Sequence, residues 1–190
     1  MPVSASPSSR DRMIEAAIEL MRSYGLSGAG INDVVHQSGA PRGSLYHYFP
    51  GGKLQMAREA LLVHGERVHA FIAQALASKR APAQKVLALF EAFARRSEEA
   101  EFRKSCPFGC VALDLDADTD DLRPAVAQAF SRWQALIATH FEPLGPRAAT
   151  EFAGLLLTGI EGAYVRARAE HSGEPFREAG RWLARLASKD

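Results

Sequence analysis

Only two cysteines, Cys106 and Cys110, occur in the 190 residues, too few for a disulfide framework or a cysteine-built zinc site. Long apolar runs are missing as well. The richest stretch, "FAGLLLTGIEGAYV", is interrupted far short of the roughly 18 residues a membrane span needs, so no membrane association is expected. The start, "MPVSASPSSRDR", has no apolar signal core, and the expectation is a chain made and kept in the cytoplasm. Charge of one sign is lacking too: 23 Lys+Arg stand against 22 Asp+Glu, for a net charge of +1. Bulk attraction to a polyanion is thereby excluded, and any contact with nucleic acid must rest on local arrangement. Sustained period-2 alternation is absent, which argues against a sheet. Catalytic and metal motifs fail in turn. "DLDADTDDLRPA" imitates a calcium loop through Asp114, Asp116, Asp118 and Asp120, but Thr119 replaces the glycine and Ala125 the final glutamate. "HGERVH" sets His64 and His69 five apart, on different sides of a helix. No nucleophile elbow or phosphate loop is present, so neither an enzyme, a cofactor nor a metal is expected.

What is present is helix. Apolar residues recur at three- and four-residue spacing almost throughout, and 47% hydrophobic content fills a core, so the fold is expected to be all-α. A flexible arm is expected over residues 1–9. Ser8 or Ser9 then caps a first helix with Ile14, Ala17, Ile18 and Met21 inward, ending before Gly25. "INDVVHQSG" predicts a short second helix with Ile31, Val34 and Val35 inward and Gly39 as a left-handed cap. Pro41 suits the first turn of a third helix, Arg42 to Tyr48, stopped by Pro50-Gly51-Gly52. Further helices are expected at about 53–78, 83–101, from Pro107, 122–141, 148–171 and 175–188.

Two short helices joined by a glycine-containing turn form a helix-turn-helix pattern. On a 3.6-residue period Leu45 and Phe49 share the inward face of the third helix, whereas Arg42, Ser44, Tyr46 and His47 fall off it. Arg42 suits guanine O6 and N7, Gly43 allows close backbone approach, and Ser44, Tyr46 and His47 suit phosphates and thymine methyls. Lys53 brings a cation to the start of the next helix, where free N–H groups already favour phosphate. A plain aromatic core would not normally place Arg, Ser and His among its rings.

Residues 10 to 60 resemble the DNA-binding domain of the TetR family of bacterial regulators, through "INDVVHQSG", "GSLYHYF" and "GGK". The resemblance implies DNA contacts from Ser44, Tyr46, His47, Tyr48 and Lys53, with Arg42 and Gly43 at the specificity-bearing start of the recognition helix. Family members often carry Thr or Ser just before the second helix. Here Ala29 stands there, leaving Ser27 as the nearby hydroxyl. The longer "FPGGK" resembles the branch of drug- and flavonoid-responsive efflux repressors. The domains expected are a DNA-binding unit at 10–55 and an effector-binding and dimerisation bundle at 56–190.

Residues 1–55 hold five basic residues (Arg10, Arg12, Arg22, Arg42, Lys53) against four acidic ones (Asp11, Glu15, Glu19, Asp33), so one copy binds DNA weakly by charge. A homodimer on a near-palindromic double-stranded operator is expected. Its interface is placed in the last two helices, at Phe152, Leu155, Leu156, Gly159, Gly162, Ala163, Phe176, Leu183 and Leu186; an intramolecular core is the alternative. Between reader and dimer, Phe71, Phe90, Phe93, Cys106, Phe108, Cys110, Phe130, Trp133 and Ile137 are candidate pocket residues or plain core. The resemblance implies a small apolar or aromatic effector that tilts the fourth helix and releases the operator. A second function is open at "KSCPFGC". Cys106, beside Pro107 and near Arg103 and Lys104, can be an activated thiol of a redox or electrophile sensor with Cys110 resolving it, or a small pocket-lining hydrophobe.

Overall fold

In the computed structural model, residues 7–41, 43–77 and 81–187 are described, and among them the only regular elements are helices. Of the arm expected at 1–9, residues 1–6 lie outside the described residues, while Ser8 already caps the first helix and Ser9 begins it. Ser8 is the cap of α1 (Ser9–Gly28): its hydroxyl accepts from the Asp11 N–H at 3.2 Å, and the Asp11 carboxylate accepts from the Ser8 N–H at 3.2 Å. Hydrogen bonding to the Ser8 side chain and backbone holds the Asp11 carboxyl below its usual range. Regular geometry breaks at Gly25, whose φ of 73° puts it in the left-handed region, and one further turn carries the chain to Gly28.

Then come α2 (Ile31–Ser38), α3 (Ser44–Tyr48), the long α4 (Gly52–Leu76), α5 (Pro82–Glu99) and α6 (Pro107–Leu113). A 3₁₀ turn at Asp120–Leu122 leads into α7 (Arg123–Ala138), later than the expected start at 122. Thr119 closes the acidic stretch there by binding Asp116 through both its hydroxyl and its N–H, as a solvated turn. α7 ends before the expected Phe141, because His140 and Phe141 donate three residues back to Ile137 and Ala138. Next are α8 (Pro146–Glu170), opened by Gly145 at φ 85° and closed by His171 at φ 51°, and α9 (Glu174–Ala187).

By packing, the chain forms two units. The first gathers residues up to His64 together with Pro107–Val126; the second comprises Gly65–Cys106 and residues from Ala127 onward. The contiguous division expected at 55/56 therefore differs from the packing, because α6 returns to the N-terminal helices. Val111 and Leu122 are fully buried, and the Asp114 carboxylate accepts the Ser27 N–H at 2.9 Å. A Cβ on Gly25 would lie 2.6 Å from the same carboxylate, so only glycine lets α1 and α6 meet at this point.

In the second unit α5 and α9 are in intimate contact. Cβ atoms built on Gly180 and Gly159 would sit 2.8 Å and 3.3 Å from Phe90, which fills the space those glycines leave. Arg177 of α9 spans Glu91 and Glu98 of α5, each at 2.8 Å. Hydrogen bonding to Arg177 holds the Glu91 carboxyl below its usual range against the opposing effect of burial.

Candidate nucleic-acid interface

The reader is built on few anchors. Val34 and Leu45 have no exposed surface and Val35 is buried, so α2 and α3 close on a shared apolar contact with α1. Gly39 ends α2 at φ 63°, ψ 18°, the left-handed cap its sequence predicts. The helix expected from Arg42 is shorter. Arg42 lies outside the described residues, Gly43 is the cap, and α3 begins at Ser44. Pro41 is not in its first turn. The Pro41 carbonyl instead accepts the Ser44 N–H at 2.9 Å and the Ser44 hydroxyl at 2.6 Å, making a turn ahead of the helix. At about 1.5 Å per residue the five residues span roughly 7.5 Å, a single turn and a half.

That short helix has two faces. Leu45 and, just beyond its end, Phe49 are fully buried, while Tyr46 is 62% exposed and Gly43 and His47 are also exposed. Ser44 and Tyr48 are half-buried, and the His47 and Tyr48 rings meet edge-on at 5.1 Å. With its hydrogen given to Pro41, the Ser44 hydroxyl has lone pairs left, so toward DNA it serves as an acceptor. Lys53, half-buried, is the second residue of α4. The Gly51 N–H donates to the Gln55 side-chain oxygen at 2.7 Å, and Gly52 adopts φ 66° to make the corner. The residues proposed to meet DNA therefore lie on consecutive segments of one unit.

Three supporting residues were missed from sequence. Arg12 donates to the Ser38 carbonyl at 3.0 Å and to the Pro7 carbonyl at 2.9 Å, tying α1 to the end of α2. Arg10 pairs with Glu59 and lies 5.7 Å from the centre of the Phe49 ring, tying α1 to α4. Gln55 caps the α4 corner. Two of the basic residues in the reader thus hold it together. No pattern of spacing signals this, because the partners are carbonyls and rings brought close only by folding. The Ser27 hydroxyl does not cap α2. Gly30 is the cap, without a side-chain bond, and the Ser27 N–H is committed to Asp114.

The expected dimer residues divide. Phe152, Leu156, Ala163 and Phe176 are buried within the chain, Phe152 edge-on to Phe141 at 5.1 Å, and a Cβ on Gly159 would meet Leu183 at 3.1 Å. These six pack α8 and α9 inside one copy, as the intramolecular alternative has it. Leu155, Gly162 and Leu186 are exposed, together with two residues the sequence reading missed, Val165 and Trp182, each 66% exposed. Trp182 lies off the buried stripe of Phe176, Gly180, Ala184 and Ala187, a signal available to helical periodicity. The Arg185 guanidinium sits 4.2 Å from its ring centre.

The expected pocket residues divide as well: Phe108 and Cys110 belong to the first unit and the others to the second. There Phe71 meets Phe93 edge-on at 5.0 Å, Phe93 meets Tyr164 at 6.0 Å, and Tyr164 meets Phe176 at 5.0 Å. Trp133 is buried beside Phe130 and donates its indole N–H to the Gly65 carbonyl at 3.2 Å, and Ile137 is fully buried. Phe90 is fully buried against Gly159 and Gly180. An open groove of about 530 Å³ runs along Phe71, Glu91, Arg95, Arg96 and Glu99, with Arg96 5.0 Å from the centre of the Phe71 ring. Cys106 is buried and hydrogen-bonded to Glu161, whose carboxyl is pushed up to about 7 by desolvation, against the lowering effect of that bond. No group of three or more His, Cys, Asp or Glu suited to a metal occurs among the described residues, and no described helix is long and apolar enough to cross a membrane.

A two-helix reader on an all-helical chain defines a helix-turn-helix DNA-binding protein. Residues 13–60 match the profile of the tetR family of bacterial regulatory proteins, and residues 82–182 that of the LmrA/YxaF-like transcriptional regulator C-terminal domain. A helix-turn-helix-type transcriptional regulator of Mycobacterium tuberculosis, itself described as uncharacterised, is 35% identical over 93% of both chains. The fold matches the crystal structure of a TetR regulatory protein from Rhodobacter sphaeroides, with a TM-score of 0.85, 23% identity, and 93% and 97% of the two chains covered. A cysteine mutant of the TetR-family regulator CifR, solved with a 26-bp double-strand operator DNA, has a TM-score of 0.80, 18% identity and coverage of 97% and 98%. The chain belongs to the TetR family, and it is a DNA-binding transcriptional regulator rather than an enzyme.

Proposed function

We propose that this regulator is a homodimeric, cytoplasmic repressor, released from a near-palindromic operator by a small apolar or aromatic effector bound in its second unit. The observation that carries the DNA-reading assignment is the division of α3, with Leu45 and Phe49 inward and Tyr46 and His47 outward. Ser44, Tyr46, His47 and Tyr48 then position the helix on phosphates and bases, Lys53 adds a phosphate contact, and Arg42 and Gly43 set specificity. Two copies are needed because one reader carries little net charge. Exposed Leu155, Val165, Trp182 and Leu186 on α8 and α9 support dimerisation there, since paired apolar faces of this kind are what a symmetric interface buries. The aromatic run from Phe71 to Phe176 supports an effector site. α4 contributes residues to both units, which gives an effector a continuous element through which to act.

The test is fluorescence anisotropy with DNA flanking the protein's own gene. Wild type should bind in a salt-sensitive manner. Tyr46→Ala should weaken binding by roughly tenfold, equivalent to about 1.4 kcal/mol, while leaving the melting temperature nearly unchanged. Absence of salt-sensitive binding to any such fragment would sink the operator assignment.

A further inference from the structure

The corner between α3 and α4 is made of Pro50, Gly51 and Gly52, and two successive glycines are the least restricted backbone a chain can have. Lys53, the residue proposed to meet a phosphate, follows it directly, and Phe49, the buried cap of the reader helix, directly precedes it. A contact made at the end of so loose a corner gains little unless something outside the corner fixes its backbone, because ordering the glycines costs entropy.

Gln55, half-buried in the first turn of α4, supplies that hold. Its side-chain oxygen accepts the Gly51 N–H at 2.7 Å, and its amide nitrogen donates to one oxygen of Glu59, a helical turn further on, at 2.9 Å. The other Glu59 oxygen is paired with Arg10 of α1, whose guanidinium lies 5.7 Å from the centre of the Phe49 ring. From Phe49 the backbone returns through Pro50 to Gly51, so Gly51, Gln55, Glu59, Arg10 and Phe49 form a closed circuit around the corner. The Gly52 N–H is committed as well, to the Phe49 carbonyl at 2.8 Å. The residue types suit their places. A Cβ on Gly51 would crowd both the Cβ and the oxygen of Gln55, each 3.1 Å away. Position 55 must accept on one side and donate on the other, which an amide does and neither a carboxylate nor a hydrocarbon can.

We infer that Gln55 is a positioning residue for operator binding: through Gly51 and the Glu59–Arg10 pair it holds the α3–α4 corner in the geometry that brings Lys53 to a phosphate while the outward face of α3 meets the groove. The inference rests on the DNA reading proposed above and adds to it a residue that itself touches no DNA. Gly51 is exposed, so water takes the place of a lost acceptor, and the corner loosens without loss of the fold.

Fluorescence anisotropy with the DNA fragment over a series of salt concentrations, together with thermal melting of the full chain, tests this. Gln55→Met keeps the length and helix preference of the side chain but neither bond. It should lose about fivefold to tenfold in affinity, and its plot of log affinity against log salt should become shallower by about one to two as each reader loses a phosphate contact. Its melting temperature should stay within a few degrees of wild type. Gln55→Glu sets two carboxylates one turn apart, and Glu59→Gln leaves one oxygen for two donors, so each should lose about fivefold. In Gln55→Glu/Glu59→Gln the carboxylate and the amide exchange places: the carboxylate at 55 accepts the Gly51 N–H, and the amide at 59 donates to it while offering its oxygen to Arg10. Affinity should then return to within about twofold of wild type, a rescue that general loosening of the fold does not produce. Wild-type affinity and salt dependence in Gln55→Met, or a double variant no better than its single parents, overturns the positioning role. Lys53→Ala separates the two readings. A weakened Lys53→Ala beside an unchanged Gln55→Met overturns the positioning role alone, whereas an unchanged Lys53→Ala counts against the phosphate contact and removes the positioning role with it.

Discussion

Leu45 has no exposed surface, while Tyr46 beside it is 62% exposed, and α3 owes its place in the reader to that difference. Leu45→Ala should cost about 2 to 5 kcal/mol in urea unfolding, because it leaves a cavity in a site with few other anchors. Loss of DNA binding in that variant would follow from loss of folding, and so differs in kind from loss in Tyr46→Ala. Glu161 makes the opposite contribution. Its carboxyl titrates near pH 7 in the folded chain against 4.5 in the unfolded one, so the folded state holds the proton more tightly. Stability should therefore fall as pH rises from about 4.5 to about 7 and remain lowered above, by up to about 3 kcal/mol. Glu161→Gln should melt higher than wild type at pH 8, and the gap should close toward pH 4.5. A gap that stays constant between these limits would contradict the desolvation.

At the scale of elements, the meeting of α1 with α6 depends on a few atoms. Gly25 takes a left-handed φ next to the Asp114 carboxylate, and Asp114 in turn accepts the Ser27 N–H. Gly25→Ala should destabilise by about 1 to 3 kcal/mol through backbone strain and the close oxygen. Asp114→Ala should cost about 1 to 3 kcal/mol by leaving the Ser27 N–H without its acceptor. The double variant should lose less than the sum, since removing Asp114 also clears space for the new Cβ. Urea unfolding of the four proteins measures this, and strict additivity would mean the two residues act independently. The glycine at 25 is legible in sequence as a helix end. Its pairing with Asp114, 89 positions away, is not, because Asp114 reads locally as one more member of an acidic loop.

For the whole molecule, the exposed apolar residues of α8 and α9 bear on assembly. Trp182→Glu would place a charge at the centre of the proposed interface, and sedimentation velocity should then show a shift from dimer to monomer. DNA affinity should fall at least a hundredfold with Tyr46 and Lys53 untouched, since two linked readers gain about that much over one. A variant that stays dimeric would move the interface elsewhere. A seam of small and apolar residues is visible in both helices from sequence. Which members turn outward is decided by α5, whose Phe90 occupies the Gly159 and Gly180 faces and leaves Trp182 and Leu186 outside.

Sequence alone determined what is local: an all-helical chain, a serine cap at position 8 or 9, the left-handed Gly39, and the alternation of Leu45 and Phe49 with Tyr46 and His47. These follow from backbone sterics and a 3.6-residue period, which neighbours along the chain specify. Tertiary structure decided what depends on distant partners. It assigned α6 to the N-terminal helices, made Arg10 and Arg12 braces between helices, packed six of the nine residues of the expected dimer seam within the chain, and left Glu161 against Cys106. Burial and charge pairing are set by residues far apart in the chain, and periodicity within one helix carries no record of which neighbour will arrive.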